Sequence, residues 1–380
     1  MAAGIVGALH VGKVPPALPF LRADLGVSGL TAAWVLSIFA VMGALISVPF
    51  GAFADRVGHR RLIVAAMACI AIASALGAAS ANVTWLLIAR VVEGFGFLAM
   101  AVSIPPLIAL RTTLRDRRLA LGIWSAYMPI GVATAFFVSP LVLGTVGWRV
   151  VWLTAAFLAA ASAVAVALVV SRAAPRAGAR VPFVPSVRAV LAARSPLYAG
   201  LAFGAYTASY FAIAGFMPVI LLAAGASVAG ASAISAFAAI INGFGNIVGS
   251  IAARHVPRLA IMLVGAAGLG LGGAAFYLTT LPLPARIACV AAALFLGGMV
   301  PGIVAGTLTS ISPAPHLIGT SQGVLQQCAS IGQLIGPPLI AVAAAERGGA
   351  PGALVVIGLA LIGITGATLL ARSTRGRAAT

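Results

Sequence analysis

A chain of 380 residues that is 62% hydrophobic and only 7% charged cannot cover an ordinary water-soluble surface, which needs roughly a quarter of its residues charged. The length would suit two or three soluble domains, but it also holds about twelve apolar stretches of about twenty residues, each long enough to cross a bilayer as a helix. The formal net charge of +18 raises nucleic acid or anionic membrane surfaces as partners, and the placement of the arginines decides between them.

In chain order, hydropathy predicts helices near 1–20, 28–50, 61–80, 84–109, 118–141, 148–171, 196–222, 228–252, 258–279, 285–308, 318–344 and 350–371. The fold class is therefore all-α integral membrane protein with twelve transmembrane helices. Pro15, Pro16 and Pro19, then Pro49, Pro105, Pro106, Pro129, Pro140 and Pro218, mark expected kinks, tolerated in membrane bundles when neighbours satisfy the freed carbonyls. Of the 23 basic residues, 17 fall in alternate connections or the tail: Arg56, Arg60, Arg61; Arg111, Arg115, Arg117, Arg118; Arg172, Arg176, Arg180, Arg188, Arg194; Arg254, Arg258; Arg372, Arg375, Arg377. The remaining connections carry Arg22, Arg149, Arg286 and Arg347. This asymmetry orients the chain with both termini in the cytoplasm, in a bacterial-type inner membrane. It makes the lipid bilayer, and no nucleic acid, the partner of the positive charge. Met1 to Phe20 lacks a charged start and a small-residue cleavage site, so no cleavable leader is expected.

The polar, Arg- and Pro-rich stretch 172–195 reads as a cytoplasmic linker between two six-helix bundles, 1–171 and 196–372, with 373–380 as a cytoplasmic tail. An internal repeat supports the division. A shift of 199 places Pro19, Gly26 and Ser28 on Pro218, Gly225 and Ser227, and a shift of 198 places Gly51, Arg56 and Pro140 on Gly249, Arg254 and Pro338. A shift of 196 places Arg90 and Pro105 on Arg286 and Pro301.

Between the second and third apolar segments runs Gly51-Ala52-Phe53-Ala54-Asp55-Arg56-Val57-Gly58-His59-Arg60-Arg61-Leu62, a tight charged turn. Its spacing, G-x-x-x-D-R-x-G-x-R-R, resembles the signature loop of the major facilitator superfamily (MFS), a group of secondary transporters. The resemblance implies two pseudo-symmetric bundles, alternating access, and a gating role for Gly51, Asp55, Arg56, Gly58, Arg60 and Arg61, which latch the cytoplasmic ends of the halves. In the second copy, Ala253 stands where Asp55 does. A solvated turn that only sets topology is the plainer alternative.

A charge at the bilayer centre costs roughly 3 kcal/mol on insertion scales, so each intramembrane charge needs a reason. Lys13 lies two thirds of the way along the first helix with His10 one turn earlier, and Arg90 and Glu93 form an i,i+3 pair on the fourth. The repeat equivalents of His10 and Lys13 are Ser209 and Ala212, so Lys13 is no generic requirement of the fold. Leu87 to Gly96 resembles the family's fourth-helix motif, whose interior arginine is associated with proton coupling; Glu93 stands where that motif often has Gln. Proton coupling is thus expected at Glu93, Arg90 or His10, with a fixed Arg90–Glu93 ion pair as the alternative. Lys13 is expected to bind an anion, with snorkelling as its alternative, and His10 to contact solute or carry a proton, with a packed histidine satisfied by a backbone carbonyl as its alternative.

Further solute contacts are expected from Tyr127, Tyr206, Tyr210, Asn242, Gln326 and Gln327, with Asn246 and Gln322 as weaker candidates; such groups also simply glue membrane helices together. Trp34, Trp124 and Trp148 read as packing or interfacial anchors. The fifth helix, Tyr127-Met128-Pro129-Ile130-Gly131, lacks the Gly-x-x-x-Gly-Pro run of the family's drug/proton antiporters; a similar run, Gly332-Gln333-Leu334-Ile335-Gly336-Pro337, sits in the eleventh helix. Gly12-Lys13 with Pro15-Pro16, Glu93-Gly94 and Tyr127-Met128-Pro129 is most similar to the cyanate/nitroimidazole-permease-like branch.

Gly7 to Lys13 mimics a phosphate-binding loop, but Val14 replaces the required hydroxyl residue and no strand precedes it. Gly243-Phe244-Gly245 falls inside a predicted membrane helix. Cys69, Cys289 and Cys328 form no C-x-x-C pair and read as small core residues. With five acids and four histidines in the chain, no zinc motif or catalytic carboxylate pair stands out. The expectation is a monomeric carrier, not an enzyme, with no cofactor and no metal. Its partners are a small organic or inorganic anion and protons, with proton-driven efflux of an uncharged or cationic drug-like compound as the alternative.

Overall fold

The computed structural model describes residues 1–113, 120, 124, 126–170, 183–314, 317–344 and 349–378. Twelve of its helices are long and apolar enough to cross a membrane: Ala2–Leu25, Gly29–Gly51, His59–Ala78, Val83–Pro105, Tyr127–Val146, Trp148–Val169, Ser195–Ala223, Val228–Ala252, Arg258–Tyr277, Leu283–Leu308, Gly319–Ala344 and Ala350–Thr374. They are called spans 1 to 12 below. Helices close their backbone hydrogen bonds internally, which is what lipid demands, and no strand occurs among the described residues.

Spans 1–6 pack on one another, as do spans 7–12, and the two groups meet along span 2 against span 11, span 5 against span 8, and the latter half of span 1 against span 7. These seams are close because small residues line them. A Cβ on Gly43 would lie 2.2 Å from the Ser330 hydroxyl, one on Gly323 3.0 Å from the Val48 backbone, and one on Gly243 2.9 Å from Pro129. At the end away from the arginine-rich loops, Val14, Leu18, Leu21, Val35 and Leu36 share one apolar cluster with Phe216, Met217 and Ile220 of span 7. Toward the arginine-rich end, a second cluster forms around Phe39, Phe50, Ile63, Met67 and Met100 of the first six spans, with Phe211 of span 7 packed against it.

The repeat seen in the sequence has a local cause. Span 1 ends at Gly26 (φ +63°) and span 7 turns at Gly225 (φ +92°), left-handed conformations that glycine adopts without strain. Two residues on, Ser28 Oγ accepts from Thr31 N–H at 3.3 Å and Ser227 Oγ from Gly230 N–H at 3.0 Å, so each half starts its second helix with the same side-chain cap.

Several expectations shift. The charged turn is narrower than its motif, because helix continues from Val41 to Val57 and only Gly58, with φ +92°, breaks it. A 3-10 turn at Ile38–Ala40 kinks span 2 where no proline stands. The stretch expected to be a plain linker contains a helix, Phe183–Ala192, whose Val190 is fully buried against Leu317 and Val324; residues 172–182 lie outside the described residues.

Span 11 explains its own glycines. A Cβ on Gly332 would lie 2.0 Å from the Gly204 carbonyl oxygen, and one on Gly336 2.3 Å from that of Ala208. The run therefore serves close packing of span 11 on span 7, as small-x-x-x-small patterns do in membranes. Gly332→Val is expected to destabilise the bundle by at least the 1–3 kcal/mol or so typical of overpacking, read as a lower unfolding midpoint in detergent. Gly358→Ala, where a Cβ meets nothing within 4 Å, serves as the control and should leave the midpoint in place.

Candidate functional site

Span 1 is built from two pieces, Ala2–Gly12 and Val14–Leu25, that meet at Lys13. Pro15 and Pro16 have no N–H to offer the carbonyls of Val11 and Gly12, so the hydrogen-bond ladder lapses there. Gly12 also lets span 5 come close, since a Cβ on it would lie 2.8 Å from the Val132 backbone. The break sets Lys13 and, one turn earlier, His10 on one face.

That face meets spans 3, 4 and 6. Lys13 Nζ donates to Glu93 Oε1 at 2.6 Å, to Ser74 Oγ at 2.7 Å and to His10 Nδ1 at 3.1 Å, which uses all three protons of an ammonium. Ser74 Oγ passes its own proton to the Trp152 carbonyl at 2.8 Å. His10 Nε2 donates to the Ala155 carbonyl at 3.2 Å; a carbonyl only accepts, so the proton sits on Nε2 and Nδ1 is left to accept. Arg90 Nη1 donates to Glu93 Oε2 and, at 2.8 Å, to the His10 carbonyl, while Nε reaches the Val35 carbonyl at 3.3 Å. The charged ends also lie over aromatic faces, Lys13 over Trp152 at 4.5 Å and Arg90 over Phe39 at 4.4 Å, a geometry that favours cations. His10, Lys13, Arg90 and Glu93 are each at most 1% exposed.

The four ionisable candidates thus form one cluster, and it lies inside the first six spans. Spans 3 and 6, which supply Ser74, Trp152 and Ala155, pack on each other and on neighbouring spans of the same half. Lys13 and Arg90 carry two positive charges against the single carboxylate of Glu93, and Arg90 Nη2 has no hydrogen-bond partner among the described residues. Sequence reasoning missed Ser74 and the two span 6 carbonyls. A lone serine in an apolar helix gives no signal, and a backbone acceptor never does.

The second half differs at the same place. Ser209, Ala212, Arg286 and Cys289 stand at the repeat positions of His10, Lys13, Arg90 and Glu93. Ser209 bonds its own helix at Ala205 (3.0 Å), and Arg286 Nε donates to the Phe276 carbonyl at 2.8 Å. Where the first half holds its ionic cluster between spans 1, 3, 4 and 6, the second leaves a void of about 10 Å³ between spans 7, 9, 10 and 12, lined by Tyr206, Ser209, Leu269, Val300 and Leu359, marginal for one water.

The remaining candidates are scattered. Tyr206 Oη donates to Asn242 Oδ1 at 3.1 Å and Asn242 Nδ2 to the Leu294 carbonyl at 2.9 Å, both within spans 7–12. Tyr210 is buried with its ring 6.0 Å from that of Tyr206. Tyr127 stacks on Trp124 at 4.2 Å, two residues before the proline that meets Gly243. Gln326 and Gln327 are half-buried on span 11, and Gln326 Nε2 lies 3.4 Å from Ser330 Oγ at the seam with span 2.

In the charged turn, the structure gives Arg60 a place: its Nε and Nη2 donate to the Val170 and Ala167 carbonyls, completing the last turn of span 6. Gly51 faces the Gly319 carbonyl of span 11 at 3.9 Å from an added Cβ, and Arg61 is exposed. The Asp55 and Arg56 side chains lie outside the described residues. At the opposite end, Asp24 Oδ2 accepts from Trp148 Nε1 at 2.9 Å and pairs with Arg149, so Trp148 is a packed anchor.

Comparison with known proteins places this arrangement. A stretch of 149 residues is 32% identical to the methyl viologen resistance protein SmvA of Salmonella typhimurium, covering 38% of this chain and 28% of that protein. A stretch of 140 residues is 31% identical to the multidrug efflux pump LfrA of Mycolicibacterium smegmatis (37% and 28%), and one of 169 residues is 27% identical to the methylenomycin A resistance protein of Bacillus subtilis (44% and 36%). The chain therefore matches well under half the length of these relatives. In fold it is similar to the crystal structure of a bacterial homolog to the human lysosomal transporter Spinster, with a TM-score of 0.75 at 16% identity over 99% of this chain and 96% of that one. The model of the Major Facilitator Superfamily matches residues 1–337, and together with the twelve apolar spans it establishes that the chain is an integral membrane protein belonging to that superfamily.

Proposed function

We propose that this protein is a proton-coupled secondary transporter that exports a drug-like organic compound, uncharged or cationic, by alternating exposure of a site between its two halves. The halves are residues 1–171 and 196–372, joined by 172–195 and followed by the tail 373–380. It works as a monomer in the inner membrane with both termini and the arginine-rich loops in the cytoplasm. The observation that carries this reading is that Lys13 spends all three of its protons within its own half. A cation so committed holds span 1 against spans 3, 4 and 6 and has no donor left to grip a passing anion. The resistance and efflux relatives point the same way.

Coupling then works by competition. A proton arriving on His10 Nδ1 turns its 3.1 Å contact with Glu93 Oε1 into a hydrogen bond and removes one of the three acceptors of Lys13. The new positive charge beside Lys13, competing for the same Glu93 oxygen, weakens the hold of Lys13 on Glu93 and Ser74 of spans 4 and 3, and loss of the proton restores it. Solute contacts come from Tyr127, Asn242 and Gln326, whose neighbours Pro129, Gly243 and Ser330 form the seams, and from Tyr206, Tyr210 and Gln327. The charged turn, anchored to span 6 through Arg60, serves as the latch: Gly51 faces span 11, Gly58 makes the positive-φ break, and Asp55, Arg56 and Arg61 supply its charges.

A second reading has one observation in its favour. Two buried cations face one carboxylate, and Arg90 Nη2 is unpartnered, so a small anion could complete the cluster, held by His10, Lys13 and Arg90 as in a cyanate/nitroimidazole-permease-like carrier. Two measurements separate the readings. In proteoliposomes, Lys13→Ala and Glu93→Gln are expected to lose at least tenfold of pH-gradient-driven accumulation of an organic cation such as methyl viologen, while keeping its energy-independent counterflow. Loss of counterflow together with accumulation overturns the coupling role. In a thermal-shift panel of organic cations, uncharged drugs, carboxylates and inorganic anions, stabilisation is expected from the first two classes. Stabilisation by an anion that vanishes in Lys13→Ala establishes the second reading instead.

A further inference from the structure

At the arginine-rich end of the second half, away from the seams, spans 9, 10 and 12 leave a groove of about 390 Å³. Its floor is apolar, with Leu259, Met262 and Leu370, and its lip is polar, with Arg258, Ser310 and Thr374. Arg258 and Ser310 are exposed while Met262 is 2% exposed, so the groove runs from the membrane surface into the apolar zone, the profile of an amphiphile lying head outward.

Among the described residues the charge around it has no acidic counterpart. From Arg117 to Ala345 the sequence contains no aspartate or glutamate; Arg258 lines the mouth, Arg254 sits in the turn just before span 9, and Arg372 stands on span 12. Among the described residues no carboxylate pairs with Arg258. The hydroxyls are already committed as donors, Ser310 to the Thr307 carbonyl at 2.8 Å and Thr374 to that of Leu370 at 3.1 Å. Both therefore present oxygen lone pairs outward, acceptors that suit a ligand carrying its own hydroxyl donors. A ligand with an anionic head, hydroxyl donors beside it and an apolar tail matches all three features.

We infer that this groove holds one phosphatidylglycerol-type phospholipid, its phosphate against Arg258, its glycerol hydroxyls donating to Ser310 and Thr374, and its acyl chains over Leu259, Met262 and Leu370. The attraction of basic clusters at a membrane surface for anionic lipids supplies the charge term. The inference rests on the twelve spans lying in a bilayer and not on which solute is carried, so it stands or falls separately from the transport reading.

The test uses the full chain in a mild neutral detergent. Added phosphatidylglycerol is expected to raise the unfolding midpoint by several degrees, whereas phosphatidylcholine and inorganic phosphate leave it within one degree. Arg258→Gln should lose at least half of the lipid-induced shift with its own lipid-free midpoint unchanged, and Arg188→Gln, on the exposed side of the linker helix, should lose none. Native mass spectrometry should show one retained phosphatidylglycerol on the parent and none on Ser310→Trp, which fills the groove. An equal shift from inorganic phosphate makes this a soluble-anion site and overturns the lipid assignment. An unaltered shift in Arg258→Gln, a loss in Arg188→Gln as large, or lipid retained on Ser310→Trp shows that the lipid binds elsewhere.

Discussion

One carboxylate organises the interior of the first half. Glu93 gives one oxygen to Lys13 and the other to Arg90, so two cations from different spans are held by a single anion with no exposure to solvent or lipid. A buried ionic group stripped of its partner is worth several kcal/mol of destabilisation, whereas replacing the whole set by apolar residues is often neutral or better. Stability alone therefore does not explain why the cluster is kept. What it does achieve is mechanical: through Ser74 and the carbonyls of Trp152 and Ala155, it fastens the broken middle of span 1 to three other spans at one point.

The second half shows what the fold looks like without that fastening. The same architecture, with the same glycine turn and serine cap after its first helix, carries Ser209, Ala212 and Cys289 at the cluster positions, and a small void remains. Its rigidity comes from contact instead, above all Gly332 and Gly336 lying against the backbone of span 7. One half is tied by a buried ionic cluster, the other by packing of one backbone against another. The two halves differ where the sequence repeat breaks and not where it holds.

How far this was legible in the sequence follows from what each level of structure depends on. The twelve spans, and the helix ends at Gly26 and Gly225, rest on local properties, hydrophobic length and backbone preference, which the residues carry with them. Pairing of His10 with Lys13 and of Arg90 with Glu93 was equally local, because each pair is one helical turn apart. That the two pairs are one cluster was not, since it depends on how span 1 is rotated against span 4, and rotation is set by the close contacts of Gly12 with span 5 and of Gly131, on span 5, with span 1. The same limit explains Gly332 to Gly336, whose likeness to a transport motif gave way to packing once the neighbour was known. It also explains the linker helix, which a Pro- and Arg-rich composition concealed although Phe183, Val187 and Val190 recur at helical spacing.

The rotation of span 1 has a further consequence. A helix that breaks at Lys13 could have turned its charges toward the other half, where a solute passing between the bundles would meet them, and the cost of burial would then fall on every cycle as the site filled and emptied. Turned inward, the ions are partnered within their own half, away from the seams, and on the coupling we propose only a rearrangement among Lys13, His10 and Glu93 accompanies the motion. That rearrangement exchanges one hydrogen bond for another at nearly equal distances, 3.1 Å in both contacts to His10 Nδ1. Because both contacts already exist side by side, such an exchange needs no large displacement of His10.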